Sequence, residues 1–323
     1  MRILLAGATG AVGRHLLPKL ISAGHEVVGT TRSPKRAQAL EAAGAQAVVL
    51  DALDREAVLA AVTGARPDVV INELTALSGP ANLRKFDDYF AETNRLRTEG
   101  TDNLLAAARV AGARRFIAQS YTGWPNPRTG SAVKTEEDPL DQQPTAASRL
   151  SLAAIAHLES AVTGTDGLEG VVVRYGSLYG PGTALGINGE LLEMVRRRRF
   201  PIVGEGTGIW SHVHIDDAAT ATLLAVEGGA PGVYNIVDDE PAPVSEWLPA
   251  LAEAIGAKPP RRIPVWLARP LLGEHGIVLM TAIRGSSNIK AKRELGWKLK
   301  YPSWRQGFRT GLGDDSNVRK DRP

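Results

Sequence analysis

The chain of 323 residues contains no cysteine, which excludes disulfides, a thiol nucleophile and thiolate metal sites. It also lacks a charge excess: 38 Lys and Arg against 35 Asp and Glu leave +3, too little to signal a nucleic-acid surface. No apolar run approaches the ~18 residues of a membrane span. The opening MRILLAG reaches its glycine too early to read as a targeting peptide. Serine-hydrolase, HExxH, phosphate-loop and zinc spacings are absent, and no internal repeat is visible. What is present is a chain that is 43% hydrophobic, long enough for about two domains and a substantial core. These readings describe a soluble, cytoplasmic, globular protein that uses neither nucleic acid nor membrane.

The first half alternates short apolar runs with amphipathic segments. Residues 3–6, 26–30, 47–50, 68–72, 115–119 and 170–174 are rich in Val and Ile without alternation, as strands buried on both faces are. Helical patterns cover 12–23, 34–43, 55–62, 93–111 and 148–162, and Gly24, Gly44, Gly64 and Gly112 stand where C-terminal glycines belong. This succession predicts an α/β fold with a doubly wound, Rossmann-like parallel sheet. Residues 1–175 form the expected dinucleotide-binding domain, joined by 215–237, a helix N-capped by Asp216 and then a strand. Residues 176–214 and 238–323 form a smaller substrate domain, whose polar end from 313 on is expected to fray. The polar, proline-rich stretch 121–149 is too long for a plain connection and is expected to cover a substrate.

Gly7, Gly10 and Gly13 follow the first strand and open a helix. Gly7 permits a tight turn, Gly10 lets backbone approach a diphosphate, and Gly13 permits close helix–strand packing. Thr9 and the backbone of Gly10, Ala11 and Val12 then face the anion at a helix N-terminus. At the end of the second strand no acid waits for a ribose hydroxyl. Arg32, Ser33 and Arg36 stand there instead, suited to a 2′-phosphate, so NADP(H) is expected over NAD(H). Asp51 either accepts from the adenine amino group or caps the following helix.

Together these segments make the chain resemble the extended short-chain dehydrogenase/reductase superfamily of epimerases, dehydratases and reductases. GATGAVG, VVLDALD, DVVINELTAL, ETN, RFIAQS, RYGSLYGPG, VHIDDA and KAKRELGW occur in the family's order. The resemblance implies cofactor contacts from Asp51, Ala52, Leu74, Asn94 and Tyr175, an active-site serine at Ser120, and a homodimer built on helices 93–111 and 148–162.

The chain departs from the family at its catalytic pair. The family's YxxxK supplies a proton-transferring Tyr and the Lys that tunes it. Aligning PTAASR with the family's motif places Thr145 and Arg149 there; aligning on Glu159 places Ser151 and Ile155 there. No YxxxK occurs in the chain. The remaining candidates are Ser120 as a hydrogen-bond donor, Tyr121 or Tyr175 as the acid, and Arg149 as the cation a tyrosine needs. Trp124, Tyr179, Trp210 and His212 are candidate substrate contacts. His212 and His214 alternate beside Asp216 and Asp217, but the aspartates suit a helix start better than a metal. Arg196 to Arg199 suit a helix C-terminus.

The expected activity is hydride transfer between NADP(H) and a carbonyl or carbinol carbon of a small molecule. Epimerisation, a non-redox lyase or isomerase reaction, and NADP(H) binding without turnover stay open beside it.

Overall fold

The structure is a computed structural model that describes residues 1–77 and 82–313, so the polar end expected to fray lies outside the described residues from 314 on. Seven parallel strands form the central sheet: β1 (Arg2–Ala6), β2 (Glu26–Thr31), β3 (Gln46–Val49), β4 (Val69–Asn72), β5 (Arg115–Tyr121), β6 (Glu169–Tyr175) and β7 (Gly232–Ile236). Their order is β3-β2-β1-β4-β5-β6-β7. The direction of winding reverses between β1 and β4, which opens a crevice at the strand C-termini, where such sheets bind ligands.

Helices cover both faces. On one, α1 (Ala11–Ser22) and α6 (Ile215–Glu227) pack with Leu16, Leu20, Ala218 and Ala225 against Ile3, Ile71 and Val173. On the other, α3 (Arg55–Ala65), α4 (Thr101–Val110) and α5 (Arg149–Gly164) set Val58, Leu104 and Leu158 against Leu4, Val70 and Phe116. Both faces of each central strand are thereby apolar, which explains why the strand runs do not alternate. α2 (Pro34–Ala42) lies between β2 and β3. A third cluster, around Trp247, Trp304, Phe308 and Tyr179, forms the core of the C-terminal part.

Several local expectations change. Gly64 lies inside α3, which ends at Ala65 with Arg66 left-handed at φ 46. His214, not Asp216, caps α6 by accepting from the Asp216 N–H, while Asp216 itself binds His15 at 2.9 Å. The single helix expected over 93–111 is broken by a π turn at Leu96–Gly100. There the Thr101 hydroxyl donates to the Leu96 carbonyl at 3.3 Å and accepts from Asn72 at 3.1 Å, so a side chain competes with the helical ladder. Gly24, Gly44 and Gly112 do take positive φ just past their helices, and Arg196 ends the helix Glu190–Arg196.

One buried ion pair ties α5 to the sheet. Arg174 of β6 donates to both carboxylate oxygens of Glu159, at 2.7 and 2.5 Å. Replacing Glu159 with Ala leaves that guanidinium uncompensated inside the protein. Urea unfolding of E159A is expected to show a loss of about 3–5 kcal/mol; unchanged stability would contradict a structural role for the pair.

Candidate active site

The crevice holds a cleft of ≈ 280 Å³ bordered by Gly7, Thr9 and Gly10 from the first turn, Thr30 to Ser33 and Arg36 from β2 and α2, Leu50 and Ala52 after β3, and Glu73 to Thr75 after β4. Gly7 has φ +85, and a Cβ on it would lie 2.6 Å from the Glu73 carbonyl oxygen; one on Gly13 would lie 2.3 Å from the Gly7 carbonyl oxygen. Both glycines are therefore demanded by close packing, as the spacing predicts. Gly10 caps α1 without a side-chain bond, and no acid stands in the first turn. The N–H groups around Ala11 and Val12 are thus left for an anion. Thr9 and Thr31 hydroxyls stand 3.3 Å apart, and the Ser33 hydroxyl makes no cap bond to α2. Arg32 pairs with Glu92. A diphosphate beside α1, an adenine between Leu50 and Ala52 and a phosphate near Ser33 and Arg36 all fit this lining.

Two residues expected at the cofactor already hold protein partners. Asp51 is exposed and accepts from the Leu53 N–H at 3.0 Å, while Asp54 caps α3. Asn94 donates to Ser151 at 3.0 Å.

The catalytic candidates are drawn apart. The Ser120 hydroxyl is buried on the α5 side and donates to Glu159 at 2.7 Å, so it cannot serve a substrate in the cleft. Strand alternation turns Tyr121 the other way. Its hydroxyl meets the Ser177 hydroxyl at 3.1 Å, and its ring stacks on Trp124 at 6.5 Å. Tyr175 is 2% exposed, and its hydroxyl donates to Glu73 at 2.7 Å and meets Thr222 at 2.5 Å. Burial raises the pKa of both tyrosines, and the Glu73 carboxyl raises that of Tyr175 further, the wrong direction for a base at neutral pH. Arg149 is exposed at the start of α5, while the hydrogen bonds of Tyr121 and Tyr175 go to the partners just named. Neither alignment supplies a proton-transferring pair. Thr145 is buried against the Ser148 hydroxyl (2.9 Å) and His275 (3.2 Å). Ser151 donates to Asp87 at 2.6 Å, and Ile155 is fully buried.

Residues 3–237 match the family described as NAD dependent epimerase/dehydratase. The chain belongs to that family. It is a nicotinamide-dependent enzyme of the extended short-chain dehydrogenase/reductase kind, an oxidoreductase or epimerase. It is 45% identical over 311 residues to a Streptomyces sp. protein named 3-diazoavenalumate denitrifying reductase, covering 95% of this chain and 99% of the relative. It is 31% identical over 267 residues to 2-alkyl-3-oxoalkanoate reductase of Stenotrophomonas maltophilia, covering 80% and 76%. Among solved structures, UDP-glucose 4-epimerase of Thermus thermophilus in complex with NAD superposes with a TM-score of 0.74 at 25% identity, over all of both chains. Within this family the chain keeps the sheet and the glycine turn and lacks the Tyr/Lys pair.

The candidate substrate residues divide. Trp124 borders a small cavity with Arg128, Thr145 and His275, near the strand ends. Tyr179 and His212 are fully buried in the C-terminal core, and the Trp210 indole donates to the Leu279 carbonyl at 2.9 Å. Tyr179 and His212 pack the interior, and Trp210 lies half-buried against it. Burial depresses the His212 pKa to about 3, so it stays neutral.

Glu73 escaped the sequence reading. It stands directly after the apolar strand run VVIN, and a carboxylate at the end of such a run is the signal that marks it. Burial pushes its pKa up to about 8 despite the Tyr175 hydrogen bond. Below pH ~4.5 folded and unfolded states both hold this proton. Between 4.5 and about 8 only the folded state does, so stability falls as pH rises through that window. The E73Q variant should lack this slope and exceed the parent by on the order of 4 kcal/mol above pH 8, read by urea unfolding from pH 4 to 9. Parallel stability curves would contradict it.

Proposed function

We propose that the chain uses NADP(H) to reduce a small, electron-poor substrate of the diazo class, with the hydride accepted at nitrogen. The carrying observation is that neither aligned position holds a proton-transferring Tyr and Lys, while Ser120, Ser151 and Thr145 are committed to neighbouring side chains. When bound, the reduced cofactor would supply a hydride; added to the terminal nitrogen of a diazonium cation it gives a neutral diazene, which loses N₂ as its N–H proton passes to solvent and the ring carbon takes one up, so no net proton is consumed. A scaffold without the Tyr and Lys pair suits that chemistry, whereas ketone reduction leaves an alkoxide that must be protonated. The name of the 45% identical relative supports the same reading.

The chain's own residues supply binding and orientation. Gly7 to Val12 present backbone to the diphosphate. Arg32, Ser33 and Arg36 favour a 2′-phosphate, which replaces Glu92 as the partner of Arg32. Tyr121 and Trp124, stacked beyond the end of β5, offer flat faces to an aromatic substrate. A carbonyl substrate is the second reading, favoured by the Tyr121 hydroxyl, which has only Ser177 as partner at this end of the sheet.

The test uses NADPH and NADH deuterated at nicotinamide C4, offered with an aryl diazonium salt and with a β-keto acid. Release of N₂ and arene in step with oxidation of the cofactor, slowed by deuterium at C4 and faster with NADPH, is the expected result. Label appearing only in a carbinol supports the second reading. Absence of transfer to either would overturn the redox assignment.

A further inference from the structure

We propose that Glu73 couples the state of the cofactor to a proton: its free oxygen holds a proton while the reduced cofactor is seated and releases it when the oxidised cofactor, with its cationic ring, takes that place. The proposal requires only that a nicotinamide cofactor binds the cleft, and it is independent of the substrate.

The geometry begins at the backbone. Glu73 directly follows β4, and its carbonyl is pressed against Gly7, so that a Cβ there would come within 2.6 Å. The residue is therefore a neighbour of the turn that receives the diphosphate, and its carboxyl reaches Tyr175 of β6. The residue is 4% exposed and borders the cleft. Oε1 accepts from the Tyr175 hydroxyl at 2.7 Å, whereas Oε2 is buried and has no partner. The Tyr175 proton already occupies Oε1, so a proton on the carboxyl resides on Oε2, the atom with nothing else to bond.

Among the described residues no cation offsets an ionised Glu73. From β6, Tyr175 faces it, while Arg174 points to the opposite side of the sheet and holds Glu159. From α6, Thr222 reaches Tyr175, Asp216 is bound to His15, and Asp217 accepts from the N–H groups of Lys300 and Tyr301. From α1, Arg14 donates to the Gly10 carbonyl and Lys19 acts on Asp216. Gln119 of β5 donates to the Leu74 carbonyl. Arg32 and Arg36 stand at the adenosine end, with Arg32 paired to Glu92. The Gly7 to Gly10 turn carries no ionisable side chain.

A carboxylate in such dry surroundings is already disfavoured. The anionic diphosphate arriving beside it disfavours ionisation further, so reduced cofactor binds the protonated form. The oxidised cofactor differs by one positive charge on its ring, which offsets the carboxylate and relaxes that demand. Burial has already moved the Glu73 titration to about 8, where neutral to mildly basic solution samples both forms.

The experiment needs no substrate. NADPH and NADP⁺ are titrated into the protein between pH 7 and 9, by calorimetry in buffers of different ionisation enthalpy, which yields both the dissociation constant and the protons exchanged. The parent protein should take up a fraction of a proton per NADPH near pH 8 and less, or none, per NADP⁺. The ratio of the NADP⁺ to the NADPH dissociation constant should fall at least tenfold from pH 7 to 9. E73Q should bind both forms with a flat ratio and without that uptake. Y175F keeps the carboxyl and loses the bond that favours its ionised form, so uptake should persist with its midpoint shifted to higher pH. Equal uptake in E73Q and parent, a flat ratio in the parent, or loss of uptake in a folded Y175F would each overturn the proposal.

Discussion

The contact between Gly7 and the Glu73 carbonyl is the constraint on which the cofactor cleft depends. It joins the end of β1 to the end of β4, the two strands between which the winding of the sheet reverses. Gly7 reaches φ +85 only because it has no Cβ. That turn swings the chain back so that Gly13 can lie against the Gly7 carbonyl, and α1 then starts with its unpaired N–H groups at the cleft. Moving either glycine's backbone outward would displace the helix N-terminus from the diphosphate position, whatever residues surround it.

The two sides of the sheet divide the remaining work. The α5 side is structural: Ser120, Glu159 and Arg174 form one buried hydrogen-bonded set that ties α5 to β5 and β6. Ser120, the serine expected at the active site, is thereby spent on Glu159. The α1 and α6 side holds the other buried polar set, Glu73 with Tyr175 and Thr222, and there one carboxyl oxygen remains without a partner. The proton assigned to this site is thus one held on Glu73 in response to the cofactor, not one delivered to substrate by a Tyr and Lys.

The parts of this arrangement legible in the sequence are those that spacing decides. Gly7, Gly10 and Gly13 mark the turn because no other residue fits those contacts, and the continuous Val and Ile runs mark strands covered on both faces. Arg32 and Arg36 were legible as residues without an acidic competitor at the end of β2. Facing was not legible. Ser120 and Tyr121 are adjacent, and only the register of β5 decides which one turns toward α5. VVLDALD offers two aspartates, and the helix cap fell to Asp54 because α3 begins at Arg55. Tyr179, Trp210 and His212 read equally well as a pocket or as a core, and burial by Trp247 and Phe308 made them core. Glu73 went unread because an acid after a strand is common, and its desolvation arises only from the packing of β6 and α6 over it.

Hydride transfer without a proton-donating side chain is the reading that joins these features, and isotope effects on a single turnover test it most directly. Cofactor deuterated at C4 should slow conversion of an aryl diazonium salt, while transfer in D₂O should proceed at the rate seen in H₂O. A solvent isotope effect of about two or more on that step would show a proton in flight in the transition state and would contradict it.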